Sequence, residues 1–374
     1  MLAASSSGRM IARHWMSPVF STGAGSLHGT HGLLTGLAVC VLSQAVFSQA
    51  VFAQDRVTFT PPGSNGPVTE IGEILDYTGR ELVLRTLNGT QHLSSASVTQ
   101  IETRYEPACQ QGLVAFQAQQ TEEALQLFRT ALQAERRPWV QREIRSSLMK
   151  CSLRMGDFSG ALREFREITR TDPETRFWGI APLVWAPTAI SATVRAELEP
   201  WLTSTDVSER MLAASSLLLD PVLGEAAEGA LLQLSRGTNP VLSAYSRMQL
   251  WRLSIGSRNV SETMLDGWRS DIARLRPELR SGPQYLLARG YEVQGEFRQA
   301  AAEAMWLPMI YSDHELLAAR ALFDASDGLA RSGLVLEADV LKQELLARYP
   351  WSREASAVRS QSRQPMPTVS PGDR

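Results

Sequence analysis

The sequence predicts a mainly α-helical chain, a solenoid of stacked helical hairpins preceded by a small β meander or barrel. Three observations predict it. The phrase Gly156-Asp157-Phe158-Ser159-Gly160-Ala161 returns as Gly295-Glu296-Phe297-Arg298-Gln299-Ala300. A glycine turn followed by an aromatic and an alanine joins two helices that approach closely, the alanine leaving room where a larger side chain would clash. Residues 68–101 alternate apolar and polar side chains around Thr78-Gly79 and Asn88-Gly89, the pattern of short strands and tight turns. From Tyr105 onward the apolar spacing becomes helical.

The front of the chain reads as a targeting segment. Residues 1–53 carry Arg9 and Arg13 and no acidic residue, then run apolar from Leu33 to Ala53, the layout of a secretory signal. Small residues at cleavage spacing end at Ala45, Ala50 and Ala53, and Val51-Phe52-Ala53 before Gln54-Asp55 fits best, so cleavage is expected after Ala53. An uncleaved anchor is the alternative, disfavoured because Ser43, Gln44, Ser48 and Gln49 interrupt the apolar run. Cys40 follows Val39 rather than a small residue, which speaks against lipid attachment. The long stretch before Leu33 makes Met10 and Met16 alternative starts.

Behind the signal, residues 54–67 with Pro61-Pro62-Gly63 and Gly66-Pro67 read as a flexible lead-in. Residues 68–103 form the β unit, with strands expected over Val68–Leu75, Glu81–Leu87 and Val98–Ile101. The order of strands and turns resembles SH3-like or Sm-like barrels, and the role expected for the unit is to cap the first helix of the solenoid.

Residues 104–171 carry the first helical hairpins. Gly112, Ala124, Phe128 and Ala131 stand at the glycine, alanine, phenylalanine and alanine positions of the tetratricopeptide repeat, and Leu148, Ala161 and Phe165 repeat part of the set. In residues 261–354, Leu287, Ala288, Tyr291 and Ala300 match again, followed by Ala338 and Leu345. The ending Tyr349-Pro350-Trp351-Ser352 is similar to repeat ends in envelope proteins of the cell-division coordinator class. The chain thus resembles a divergent tetratricopeptide-repeat (TPR) protein of exported bacterial envelope type. It departs from the pattern at Met149 and Ser326, where a small residue is usual, at Ala304, where phenylalanine is usual, and at the early tryptophan, which no repeat has.

Between these arrays, residues 172–189 contain Phe177, Trp178, Pro182, Trp185 and Pro187. Such a connection is either a binding loop or an apolar linker folded onto helix ends, and the second reading is preferred because tryptophan buries a large area. Residues 190–260 resemble HEAT-type hairpins, with a helix start at Asp206-Val207-Ser208-Glu209, a second helix from about Gly224 to Leu234, and a third after Asn239-Pro240. Residues 355–374, with Ser, Arg, Gln and three prolines, read as a disordered tail.

Composition excludes several function classes. Removing Arg9 and Arg13 leaves 35 basic against 39 acidic residues, no clustered excess of the kind nucleic acid requires. Only Lys150 and Lys342 are lysines, and the arginines are spread among glutamates. Of five histidines, only His92 and His314 follow the signal, and each reads as a surface or capping residue. Two isolated histidines supply neither a zinc site nor a catalytic triad, so no metal, cofactor or catalytic residue is expected. Glu122-Glu123, Glu164 and Glu167 sit at helical surface spacing near arginines rather than as facing carboxylates. Cys109 and Cys151 sit on the first helices of neighbouring hairpins, where they either pair or remain buried thiols.

The resemblance implies that the first helix of each hairpin lines a concave face. Counted from each repeat's small residue, the lining residues are Glu106, Leu113 and Phe116; Glu143, Lys150 and Leu153; Tyr285, Arg289 and Glu292; and Arg320, Phe323 and Asp327. Aromatic and charged side chains together suit peptide recognition. The expected function is that of an exported, non-catalytic scaffold or adaptor with a protein or peptide partner in the cell envelope, no nucleic acid and no membrane span in the mature chain. The rivals are a self-assembling structural protein and an enzyme with an unrecognised site.

Overall fold

The computed structural model of the protein describes residues 54–64 and 66–363. The expected signal and cleavage site, through Ala53, and the end of the expected tail from residue 364 lie outside the described residues.

The first five elements are strands: β1 (Asp55–Phe59), β2 (Val68–Tyr77), β3 (Glu81–Thr86), β4 (Gly89–Ser94) and β5 (Val98–Glu102). They form one antiparallel sheet in the order β4-β3-β2-β1-β5. The strand β1 corrects the expectation of a flexible lead-in over 54–67. Its inward positions are Asp55, Val57 and Phe59, and the first is a buried carboxylate rather than an apolar residue, which hid the alternation. Asp55 belongs inside because its Oδ2 accepts a hydrogen bond from the Ile74 N–H at 2.8 Å. The sheet does not close into a barrel. Its edges are β4 and β5, and its apolar face, with Ile74, Leu82 and Leu84, packs on helices instead.

Four helices follow as two hairpins: α1 (Pro107–Gln117) with α2 (Thr121–Ala134), and α3 (Pro138–Arg154) with α4 (Phe158–Thr171). Ala124 and Ala161 are fully buried, as the repeat positions require. A Cβ on Gly112 would meet the Phe128 ring at 2.9 Å, so only glycine permits this approach of α1 to α2. Helix α3 lies between two cores, giving Leu148 and Cys151 to the one under the sheet and Met149 to the larger one beyond. Cys109 and Cys151 are both buried free thiols; no disulfide joins them.

The tryptophan- and proline-rich connection is core material. Trp178 packs edge-on against Phe165 at 4.9 Å, and Trp185 against Tyr245 at 5.3 Å. The connection also seats the β unit: the Gly79 N–H donates to Asp172 at 2.9 Å, and Arg80 forks onto Glu174. A Cβ on Gly79 would lie 1.7 Å from the Glu174 carbonyl oxygen, which explains the glycine in that turn.

Five further helices make up the middle: α5 (Ala192–Leu198), α6 (Val207–Leu217), α7 (Gly224–Leu234), α8 (Pro240–Gly256) and α9 (Glu262–Arg274). Asp206 and Asn239 cap α6 and α8 by accepting first-turn N–H groups. Then come α10 (Ser281–Val293), α11 (Phe297–Ala304), the single turn α12 (Trp306–Met309), α13 (Glu315–Arg331), α14 (Val335–Arg348) and α15 (Arg353–Arg363). Helix α15 corrects the disordered-tail expectation for its first part. Ala355 and Val358 are buried against the preceding hairpin, and Ser352 Oγ accepts the Ala355 N–H at 3.0 Å, so the helix is both anchored and capped.

Candidate interaction groove

Most of the lining residues expected from the repeat geometry fall in two places. One is a row of charges on the first helices of the last repeats, where α10 packs beside α13 and α13 beside α15. Asp324 on α13 is its centre: Arg320 reaches it at 3.0 Å, Arg289 on α10 lies 3.8 Å away, and the Tyr285 hydroxyl donates to it at 2.7 Å. Arg289 also pairs with Glu292, and Arg331 bridges Glu292 at 3.5 Å and Asp327 at 3.7 Å. Glu354 on α15 lies 4.0 Å from Arg320. Spacings of three and four residues place these partners on one helix face, which is why the row is continuous.

Exposure grades along the row. Asp324 is nearly enclosed, Arg289, Glu292 and Arg320 are about a quarter exposed, and Arg331 and Asp327 stand at the rim with 47% and 61% of their side-chain surface accessible. Phe323 is half-buried, with the Arg320 guanidinium 5.6 Å from its ring. Tyr285 corrects the expectation of a lining residue: it is fully buried, and a partner on the groove surface cannot touch it. Burial, reinforced by Asp324, pushes its phenol well above the usual range, so it stays a neutral donor. Burial works against the Arg320 charge, but Asp324, Tyr285 and Glu354 outweigh it and raise its pKa.

The second place is a seam between α3 and the start of α13. The Arg154 guanidinium stacks on the Phe116 ring at 3.4 Å and donates to Glu315 through two bonds of 2.7 Å each. Lys150, Leu153, His314 and Trp351 line the same seam. The expected lining residues of the first repeats are therefore covered, Lys150 and Leu153 by the chain's own later repeats and Phe116 by Arg154. Glu143 is not a lining residue either; it is buried and paired with Arg176. Glu106 is exposed at the N-terminal end of α1, and Leu113 packs on the core under the sheet.

The two histidines differ. His92 is exposed and contacts Glu81 at 2.9 Å, as a surface residue should. His314 is buried at the N-terminal boundary of α13, its side chain makes no capping bond, and its Nε2 has no partner. Burial first, and Lys150 after it, depress its pKa to about 4, so the ring is neutral. The sequence could not place it, because what encloses it is α3, more than 150 positions earlier. Arg154, Asp324, Arg331, Glu354 and Trp351 also escaped the repeat counting, although the i,i+4 spacing of Arg320 with Asp324 is visible in the sequence.

Among the described residues, no group of three or more His, Cys, Asp or Glu could hold a metal ion, and no helix is long and apolar enough to cross a membrane.

The tetratricopeptide-repeat family model matches residues 115–181, from the end of α1 through α4 into the connection. No curated protein and no solved structure matches the chain. The matched segment and the mainly helical architecture support a tetratricopeptide-type protein, and repeats of this type suggest a protein–protein interaction scaffold.

Proposed function

We propose that this chain is an exported, non-catalytic interaction scaffold whose binding face is the charged row on α10, α13 and α15, and whose partner is a protein or peptide of the cell envelope. The observation that carries the reading is the row itself. Arginines and carboxylates graded from enclosed to exposed present fixed, alternating charges to a partner, while the enclosed members pre-organise the exposed ones. Export rests on the composition of residues 1–53 and on expected cleavage after Ala53. The non-catalytic role rests on the arrangement of the acidic groups: Glu164 pairs with Arg145, Glu167 with Arg170, and the carboxylates of the row with arginines, as in interaction faces rather than in clefts that keep an acid and a base apart.

A second reading, self-assembly, draws on one feature. Leu336 and Val340, one turn apart on α14, are 81% and 60% exposed, so the outer face of the last hairpin carries apolar surface that a further copy could cover.

Affinity capture of the tagged protein from the envelope fraction of its native cell tests the two. A retained partner that is lost when the rim charges of Asp327 and Arg331 are removed supports the scaffold. Recovery of the protein alone, as a concentration-dependent oligomer, supports self-assembly.

A further inference from the structure

The seam between α3 and α13 has the composition of a recognition site filled in cis. Arg154 has 8% of its side-chain surface accessible, and Glu315 is the one carboxylate within 4.0 Å of it among the described residues. Its guanidinium lies between two aromatics, Phe116 at 3.4 Å and Trp351 at 5.3 Å, and its Nη1 donates to the Phe116 carbonyl oxygen at 2.8 Å. A forked arginine–carboxylate pair flanked by aromatic faces is directional and specific. The pair also joins helix ends of matching polarity: Arg154 is the last residue of α3 and Glu315 the first of α13, so each charge complements its own helix dipole.

The same seam is imperfectly filled. His314 Nε2 is buried without a partner, Lys150 has no carboxylate partner among the described residues, and a gap of about 20 Å³ remains between the elements. A buried polar group without a partner costs stability where it lies, and a contact weakened there opens locally before the whole chain unfolds.

We propose that this contact is an autoinhibitory latch. Glu315 and Trp351 occupy the Arg154 pocket on the concave face of the first repeats, and the released pocket takes, from a protein partner, an acidic residue with an aromatic beside it. The latch rests on the reading of the first-helix faces as docking surfaces, but it concerns α1 and α3 rather than the charged row.

Hydrogen–deuterium exchange on the full chain tests it with Glu315→Arg, Arg154→Glu and the double exchange. Each single variant is expected to speed exchange in Leu148–Arg154 and Glu315–Ala319 by about tenfold or more, the consequence of breaking an enclosed ion pair, while the β sheet and α10 keep their protection. The double variant, with the charges swapped, is expected to restore it in part, since the ion pair returns but each charge now opposes its helix dipole and the bond to the Phe116 carbonyl stays lost. Unchanged exchange in both single variants, or faster exchange throughout the chain, would overturn the latch. In a second arm, a labelled peptide of residues 311–320 is offered to the wild type and to Glu315→Ala. Binding at least about tenfold tighter to Glu315→Ala, and lost again on adding Arg154→Glu, supports the recognition half. Local opening without peptide binding overturns that half and leaves the reading of the α10–α13–α15 row to stand or fall by its own capture experiment.

Discussion

Tyr285 on α10 and Asp324 on α13 meet at 2.7 Å across the boundary between two repeats, the hydroxyl donating and the carboxylate accepting. The bond fixes the acid that both Arg289 and Arg320 approach, so the geometry of the exposed charges is set by a contact no partner can reach. Tyr285→Phe keeps the ring and removes the donor. It is expected to cost about 1.5–3 kcal/mol, the worth of one enclosed hydrogen bond to a charged group, while Asp324 retains its arginines. Chemical denaturation measures it; a loss several times larger would mean that the hydroxyl holds more than Asp324.

The turns between paired helices give predictions of opposite sign. Gly156, Gly295 and Gly333 adopt φ of 76°, 81° and 83°, and the corresponding turn of the first hairpin places Gln119 at φ 64°. A Cβ on Gly156 would meet nothing within 4 Å, so Gly156→Ala tests the backbone alone and is expected to cost about 1–2 kcal/mol. Gln119→Gly is expected to be neutral or stabilising by up to about 1 kcal/mol. Equal losses in both variants would contradict the argument.

These turns also show how far the fold was legible in the sequence. The repeated glycine-aromatic-alanine phrase marked two hairpins because the left-handed turn and the close helix approach each restrict the residue type. The first hairpin was found from Gly112, Ala124 and Phe128 instead, its turn being filled by Gln119. The strand β1 was missed because a buried aspartate broke its apolar alternation, and α15 because its anchoring alanine and valine sit in a Ser- and Arg-rich stretch. The groove was legible by register only. Counting along repeats put Arg289, Glu292, Arg320 and Asp327 on one row, but it could not foresee that Tyr285 turns inward or that the later repeats cover Lys150 and Leu153, since both depend on contacts between distant segments.

His314 makes stability depend on pH. In the unfolded chain its ring protonates near the ordinary value of 6.5, whereas in the folded chain burial holds the pKa at about 4. Between these values the unfolded state binds more protons, so this group's contribution is present above about 6.5 and is lost as pH falls toward 4. The full loss is of order 3 kcal/mol. Comparing unfolding free energies at pH 7 and pH 4.5 for the wild type and His314→Gln measures it; the same slope in both would remove His314 as the source.

Burial is the first cause that raises the thiols of Cys109, to about 11, and Cys151, to about 12. Thiols rather than thiolates in closed packing should be inert. Alkylation at pH 8 followed by peptide mass spectrometry should leave both unmodified in the native protein and modify both after denaturation. Rapid native labelling would show that one of them is accessible.

If the α10–α13–α15 row is the binding face, its rim charges are the groups a partner meets first. Reversing Arg289 itself would set like charges beside Glu292 and Asp324, but Asp327 and Arg331 are exposed enough to change with little effect on folding. The measurement is quantitative capture of envelope proteins by the wild type and by Asp327→Asn with Arg331→Gln, which removes both rim charges without setting like charges together, with thermal unfolding of both. At least about tenfold less of a specific partner is expected on the variant at an unchanged unfolding temperature. Equal capture by two equally stable proteins would contradict it.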